Sequence, residues 1–225
     1  MDVHDSNNTF IVDRAILKVG FWSGLIAFIA ITAFGTVQTL QVLGFLTYPL
    51  DEILIYGFSL CITIPFMLEI LALHHISKPD KKFWSHTAVI FTVIYVIFVT
   101  ANYVVQLATV IPMTGKGDSN GINILKQTPH SLFWDFDAIG YIAMGFATLF
   151  AVPLFKRVGF QKWVRICFLA NALVTPLIAF VYFYPNFSNN LLLIATPWVV
   201  TAPLSMLMLS LMFKKELLKN KPKKF

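Results

Sequence analysis

Six uninterrupted apolar runs leave this chain few ways to fold. They cover residues 19–45, 53–73, 88–113, 132–155, 166–184 and 191–213, and together hold 140 of the 225 residues. A helix needs about 20 apolar residues to cross about 30 Å of hydrocarbon, and the shortest run has 19. A transmembrane barrel would instead show segments of about ten alternating residues, a pattern these runs lack. The expected fold is all-α, a polytopic transmembrane bundle of six spans that forms a single membrane domain over residues 1–225.

Composition agrees. The chain is 57% hydrophobic and 12% charged, against about 45 to 50% and about 25% in soluble domains, which excludes an ordinary soluble globule. Its 22 Phe, 7 Tyr and 5 Trp exclude a chain held open by low hydrophobicity and high charge. Both cysteines, Cys61 and Cys167, fall inside apolar runs, which argues against a disulfide scaffold and predicts buried thiols. The polar N-terminal stretch MDVHDSNNTFIVDR carries three Asp. It is unlike the basic start of a cleaved signal peptide, so the first run is expected to be an uncleaved anchor.

The net charge of +6 takes its meaning from position. Positive residues are retained on the cytoplasmic side during insertion, and a cytoplasmic N-terminus (residues 1–18) places Arg14, Lys18, Lys78, Lys81, Lys82, Lys156, Arg157, Lys162, Arg165 and six tail lysines inside. Only Lys116 and Lys126 then lie outside. Both termini are expected to be cytoplasmic, in a multi-pass protein of the cell membrane. Trp22, Trp84 and Trp163 would mark the inner boundary, and Tyr48, Trp134, Tyr182 and Tyr184 the outer one. The basic tail 214–225, KKELLKNKPKKF, suits anionic lipid headgroups at about 1 kcal/mol per charge. Nothing in it interleaves aromatic and basic residues as a nucleic-acid surface would.

The one long connection, residues 114–131, lies outside in this topology and reads as a flexible extracytoplasmic loop or cap. Its GKGDSNG lacks the strand and the spacing of a phosphate loop. Asp118 and Asn120 resemble the start of a calcium loop but lack its terminal Glu, so a turn is expected. Pro65 and Pro176 sit at corresponding places in the two halves, as in inverted repeats. Pro197 and Pro203 predict a sixth helix bent twice.

Ionisable groups in hydrocarbon cost about 2.5 to 3.5 kcal/mol on insertion scales and usually face the interior with a partner. Glu69, in FMLEILAL, is one such buried acid. Its expected partner is Arg165, Lys162 or His86 at similar depth, and the alternative is a proton or cation site. Asp135 and Asp137 open the fourth run, where the helix dipole favours carboxylates. Asp137 shares a face with Gly140, Met144, Ala147 and Ala151, and is expected to look inward. Gln38 with Gln41, and Asn102 with Gln106, pair up at helical spacing in the same outer half. With Tyr103, Tyr141, Trp198 and Asp137 they make a candidate ligand pocket, apolar and aromatic with a few polar groups. The opposing reading is hydrogen bonding between helices, worth about 0.6 kcal/mol per contact.

Metal and cofactor chemistry find no signature. His130 lies near the two Asp, and His74, His75 and His86 cluster near the inner boundary. No HxxH, HxxxH or HExxH spacing occurs, so neither a metal site nor a cofactor is expected. No Ser sits in a GxSxG elbow.

The strings FWDFDAIGYIAMGFATLFAVPLF and KWVRICFLANALVTPLIAFVYFYP resemble those of prokaryotic multi-pass membrane proteins of no assigned activity. That resemblance covers the fourth and fifth runs and implies a six-span bundle, with no reaction attached. In size and span count alone the chain is similar to the substrate-binding components of energy-coupling vitamin transporters. Three functions stay open. The first is small-molecule or ion binding and transport through an outward cavity. The second is a membrane-embedded enzyme acting on a lipid or isoprenoid, with Glu69, His130 or the Asp pair as acid and base. The third is an accessory subunit whose polar residues join helices.

Overall fold

A computed structural model describes residues 14–117 and 121–219. The polar N-terminal stretch, Asp118 and Asn120, and the tail lysines Lys221, Lys223 and Lys224 lie outside the described residues. Six long helices form: α1 (Arg14–Val42), α2 (Leu50–Ile76), α3 (Lys82–Val105), α4 (Leu132–Ala151), α5 (Gly159–Phe183) and α6 (Trp198–Lys219). Each, with its short helical extensions, is long and apolar enough to cross a membrane.

Every helix packs on its chain neighbours, and α1 packs on α6, so the bundle closes into a ring in sequence order. The connections 43–49, 116–131 and 184–197 share one end, here the loop end. Those at 77–81 and 155–158 share the end where α1 begins and α6 finishes, the terminal end. Outward faces carry Ile26, Ile29, Phe83, Ile97, Leu173 and Val200, all exposed. Hydroxyls on these faces bond within their own helix. Thr32 donates to Phe28 O at 2.7 Å and Thr36 to Thr32 O at 2.9 Å, so each hydroxyl is satisfied by a backbone carbonyl of its own helix.

α4 is the most enclosed helix, with 61% of its apolar window buried against 33 to 44% for the others. Small residues allow this. A Cβ added at Gly140 would stand 2.5 Å from Val99 Cγ2 on α3, and one at Gly145 would stand 1.8 Å from Thr175 Oγ1 on α5. Ser131 caps its start, accepting from Trp134 N at 3.2 Å. Cations close its other end: Arg165 donates to Val152 O at 2.9 Å, and Lys81 to Pro153 O at 2.6 Å. These are the carbonyls that a helix end leaves without an intrahelical partner.

Two runs depart from regular helix. The third continues beyond α3 through a π-helical turn, Gln106–Val110, into a short helix, Ile111–Gly115. Pro112 has no N–H to give and its ring crowds the carbonyl four residues back; the wider turn lies just ahead of it. The sixth run does not form one doubly bent helix. It starts as a short helix, Asn189–Leu192, and a 3-10 turn, Leu193–Ala195. Pro197 stands at the break before α6, and only Pro203 lies inside the helix. The thiols also differ from expectation, for Cys61 is exposed on α2 and Cys167 is half-buried. A helix apolar on all sides in a ring still turns one side outward.

Candidate functional site

The polar residues of the loop end gather around one carboxyl. Asp137 is 4% exposed, on the α4 face that Gly140, Met144, Ala147 and Ala151 continue. Four donors from three parts of the chain converge on it. Oδ1 accepts from Tyr103 Oη at 2.7 Å and from Asn102 Nδ2 at 3.4 Å, both on α3. Oδ2 accepts from Tyr182 Oη on α5 at 2.5 Å and from Gln127 Nε2 at 3.0 Å. An ionised carboxyl is acceptor-only and can take all four. Tyr141 extends the cluster, its hydroxyl 3.1 Å from that of Tyr103, and Tyr56 stacks on the Tyr103 ring.

Gln127 comes from the long connection, which folds down as a cap. Ile122 is buried, Gln127 Oε1 accepts from Asn102 Nδ2 at 3.0 Å, and Gln127 N donates to Gln106 Oε1 at 3.2 Å. Gln106 Nε2 in turn donates to Leu125 O at 2.8 Å. The π turn thus begins at the residue that ties α3 to the cap, a kind of place where π turns recur in proteins.

Beside this cluster lies a cavity of about 310 Å³, lined by Phe34, Gln38, Tyr141, Ile178, Tyr182 and Trp198 among others. Its origin is the break in the sixth run. Val199 meets Gly35, where an added Cβ would stand 2.9 Å from Val199 Cγ1. α1 runs seven residues beyond Gly35, about 10 Å at 1.5 Å per residue. α6 has no matching turns, and a gap opens between α1 and α5. Three rings form its floor. Trp198 stands edge-on to Phe34 at 5.7 Å and to Tyr141 at 5.0 Å. Tyr182 joins the two features: its side chain lines the cavity while its hydroxyl holds Asp137.

The expected pocket residues therefore divide. Gln38, Tyr141 and Trp198 line the cavity, whereas Asp137, Asn102, Tyr103 and Gln106 form the hydrogen-bonded cluster behind it. Gln41 belongs to neither. It accepts from Gln38 Nε2 at 2.8 Å and donates to Asp51 Oδ2 at 2.7 Å, and Asp51 is a third buried acid that the sequence reading passed over. Tyr182, expected at a boundary, and Gln127, in the loop, were missed as well. A tyrosine at a helix end reads as an anchor, and a loop glutamine has no period to betray it.

Glu69 lacks its expected partner. It is 0% exposed, and neither carboxyl oxygen meets a donor among the described residues. Arg165 is engaged at the end of α4, Lys162 lies over Trp163, and His86 packs on His74. Nor is an acid–base pair assembled around His130, which is exposed, has φ 65° and bonds no carboxylate among the described residues. Asp135 is exposed in the first turn of α4. No three His, Cys, Asp or Glu side chains converge among the described residues. Compared with protein-family models, curated proteins and solved structures, the chain matches none.

Proposed function

We propose that this chain is an integral protein of the cell membrane with both termini in the cytoplasm. In this reading it binds a small, mostly apolar molecule in the loop-end cavity, for uptake or presentation. The observation that carries it is Tyr182, one side chain serving both an aromatic-walled cavity and a buried acid with four donors. The volume falls at the small end of the range for small-molecule sites, about 300 to 1,000 Å³. The walls suit an apolar body, and Gln38 and the Tyr182 hydroxyl suit one hydrogen-bonding head group. The basic end of α6 would rest on anionic lipid headgroups. The Nζ atoms of Lys214 and Lys215 there lie 5.7 Å and 5.3 Å from the Phe21 and Phe160 ring centroids, at cation–π distance.

Native mass spectrometry of the protein released from lipid nanodiscs tests this. Wild-type protein should carry a non-covalent small-molecule adduct, and Ala195→Trp, which fills the cavity, should lose it without a fall in melting temperature. Tyr182→Phe should retain about one-tenth as much, the effect of one hydrogen bond of about 1.4 kcal/mol. No adduct on wild type, or equal adducts on wild type and folded Ala195→Trp, would overturn the proposal.

A further inference from the structure

The two most enclosed acids of the bundle are held in opposite ways. Asp137 has four donors, whereas Glu69, fully buried on α2 toward the terminal end, has none among the described residues. Its niche is a specific one. A Cβ on Gly24 of α1 would stand 2.1 Å from Glu69 Oε1 and 2.9 Å from Ser210 Cβ on α6. The carboxyl therefore occupies the space left by the missing side chain of Gly24, within about 5 Å of Ser210, where α1, α2 and α6 close the ring. Ser210 spends its hydroxyl proton on Phe21 O, at 2.7 Å, and offers Glu69 none.

Among the described residues no charge compensates it. The basic groups toward this end of the packed helices are Arg14 and Lys18 on α1, His74 and His75 on α2, Lys82 and His86 on α3, and Lys214, Lys215 and Lys219 on α6, of which Arg14 and His75 are exposed. Lys18 is exposed, Lys82 donates to His74 O at 2.6 Å, and His86 packs on His74. Lys214 and Lys215 lie over Phe21 and Phe160. The acid on α6, Glu216, pairs with Lys219 at 2.7 Å. An isolated carboxylate in such a place is strongly disfavoured, and removal of its partner is among the costliest changes a buried pair can suffer. A metal cation would need several oxygen ligands, and the niche presents one carboxyl and one hydroxyl already engaged. A proton needs a single oxygen.

We propose that Glu69 is an exchangeable proton-binding site, loaded and unloaded from the terminal end. Binding is the simple step –COO⁻ + H⁺ ⇌ –COOH on one carboxyl oxygen, with no bond to carbon changed. The way out is short, since Glu69 is four residues from Leu73 at the end of its apolar run, about 6 Å along the helix. Such a site gives a membrane bundle a means to sense or carry protons, and it does not depend on the cavity at the other end.

Dicyclohexylcarbodiimide, a lipid-soluble carbodiimide, reads this out. The acid proton moves to a carbodiimide nitrogen, a carboxyl oxygen adds to its carbon, and an oxygen-to-nitrogen acyl shift leaves a stable N-acylurea that holds the whole reagent. Wild-type protein in liposomes should be labelled at Glu69, mapped by fragment mass spectrometry, and Glu69→Gln should lose that adduct. Labelling should fall about tenfold per pH unit above its midpoint and be equal in sodium and choline chloride. Mapping on wild type keeps the test valid if the variant misfolds. Absence of a Glu69 adduct, or labelling constant from acid to alkaline pH, would overturn the proposal. Protection by sodium at fixed pH would overturn it in favour of a metal cation.

Discussion

Asp137 is the residue on which the loop end depends, because four donors from α3, α5 and the cap converge on its two oxygens. Asp137→Asn keeps the shape but turns one acceptor oxygen into a donor nitrogen. Either Tyr103 with Asn102 or Tyr182 with Gln127 then faces an N–H. A buried donor left without a partner costs about 1 to 3 kcal/mol, a fall of several degrees in melting temperature. Tyr141→Phe removes only a hydroxyl bonded to Tyr103 and should cost about 1 kcal/mol. Thermal unfolding of both variants in detergent checks the order; an Asp137→Asn as stable as wild type would mean that the donors do not need the carboxylate. Asp137, Asn102, Tyr103 and Gln106 were legible in the sequence because helical spacing sets polar side chains on one face of an apolar helix. Tyr182 and Gln127 were not, since their part is fixed by contacts across 45 and 10 residues that no local pattern records.

At the scale of elements, the existence of six helices followed from run length alone, while their breaks followed from proline placed against neighbours. Pro65 and Pro176 lie within intact helices, yet Pro197 ends one segment before α6 begins, and that difference opens the cavity. Sequence could place the prolines but not say which helix would have partners to hold it together. Of the glycines between elements, Gly145 of α4 leaves the least room, against Thr175 of α5, where an added Cβ would meet Oγ1 at 1.8 Å and Thr175 Cβ at 2.7 Å. Gly145→Ala should therefore push α4 and α5 apart and destabilise by about 1 to 3 kcal/mol. Thr175→Ala in the same chain removes the hydroxyl and methyl and should restore part of the loss, since residues in contact couple. Gly57→Ala is the control, with nothing within 4 Å of the added atom. Equal melting temperatures for Gly145→Ala and Gly57→Ala would show that the α4–α5 approach is looser than described.

Across the whole molecule, a ring of six consecutive helices puts the start of α1 and the finish of α6 at one end of the bundle, and the cations follow that division. Lys78, Lys81, Lys82, Lys156, Arg157, Lys162 and Arg165 lie on or beside the terminal-end connections, and Lys214, Lys215 and Lys219 at the last turns of α6. Among the described residues, Lys116 and Lys126 alone belong to the other end. In the topology proposed above, retention of positive residues in the cytoplasm would set the sense of the bundle, and with it the meaning of both sites. The cavity would face outward, and Glu69 would exchange with the cytoplasm. Single cysteines introduced as Lys126→Cys and Lys156→Cys, with Cys61 and Cys167 replaced by Ala, test this with a membrane-impermeant maleimide on intact cells. Lys126→Cys should react directly, and Lys156→Cys only after permeabilisation. The reverse pattern would invert the bundle: the cavity would then open to the cytoplasm, uptake from outside through it would be excluded, and Glu69 would draw its proton from the outer face.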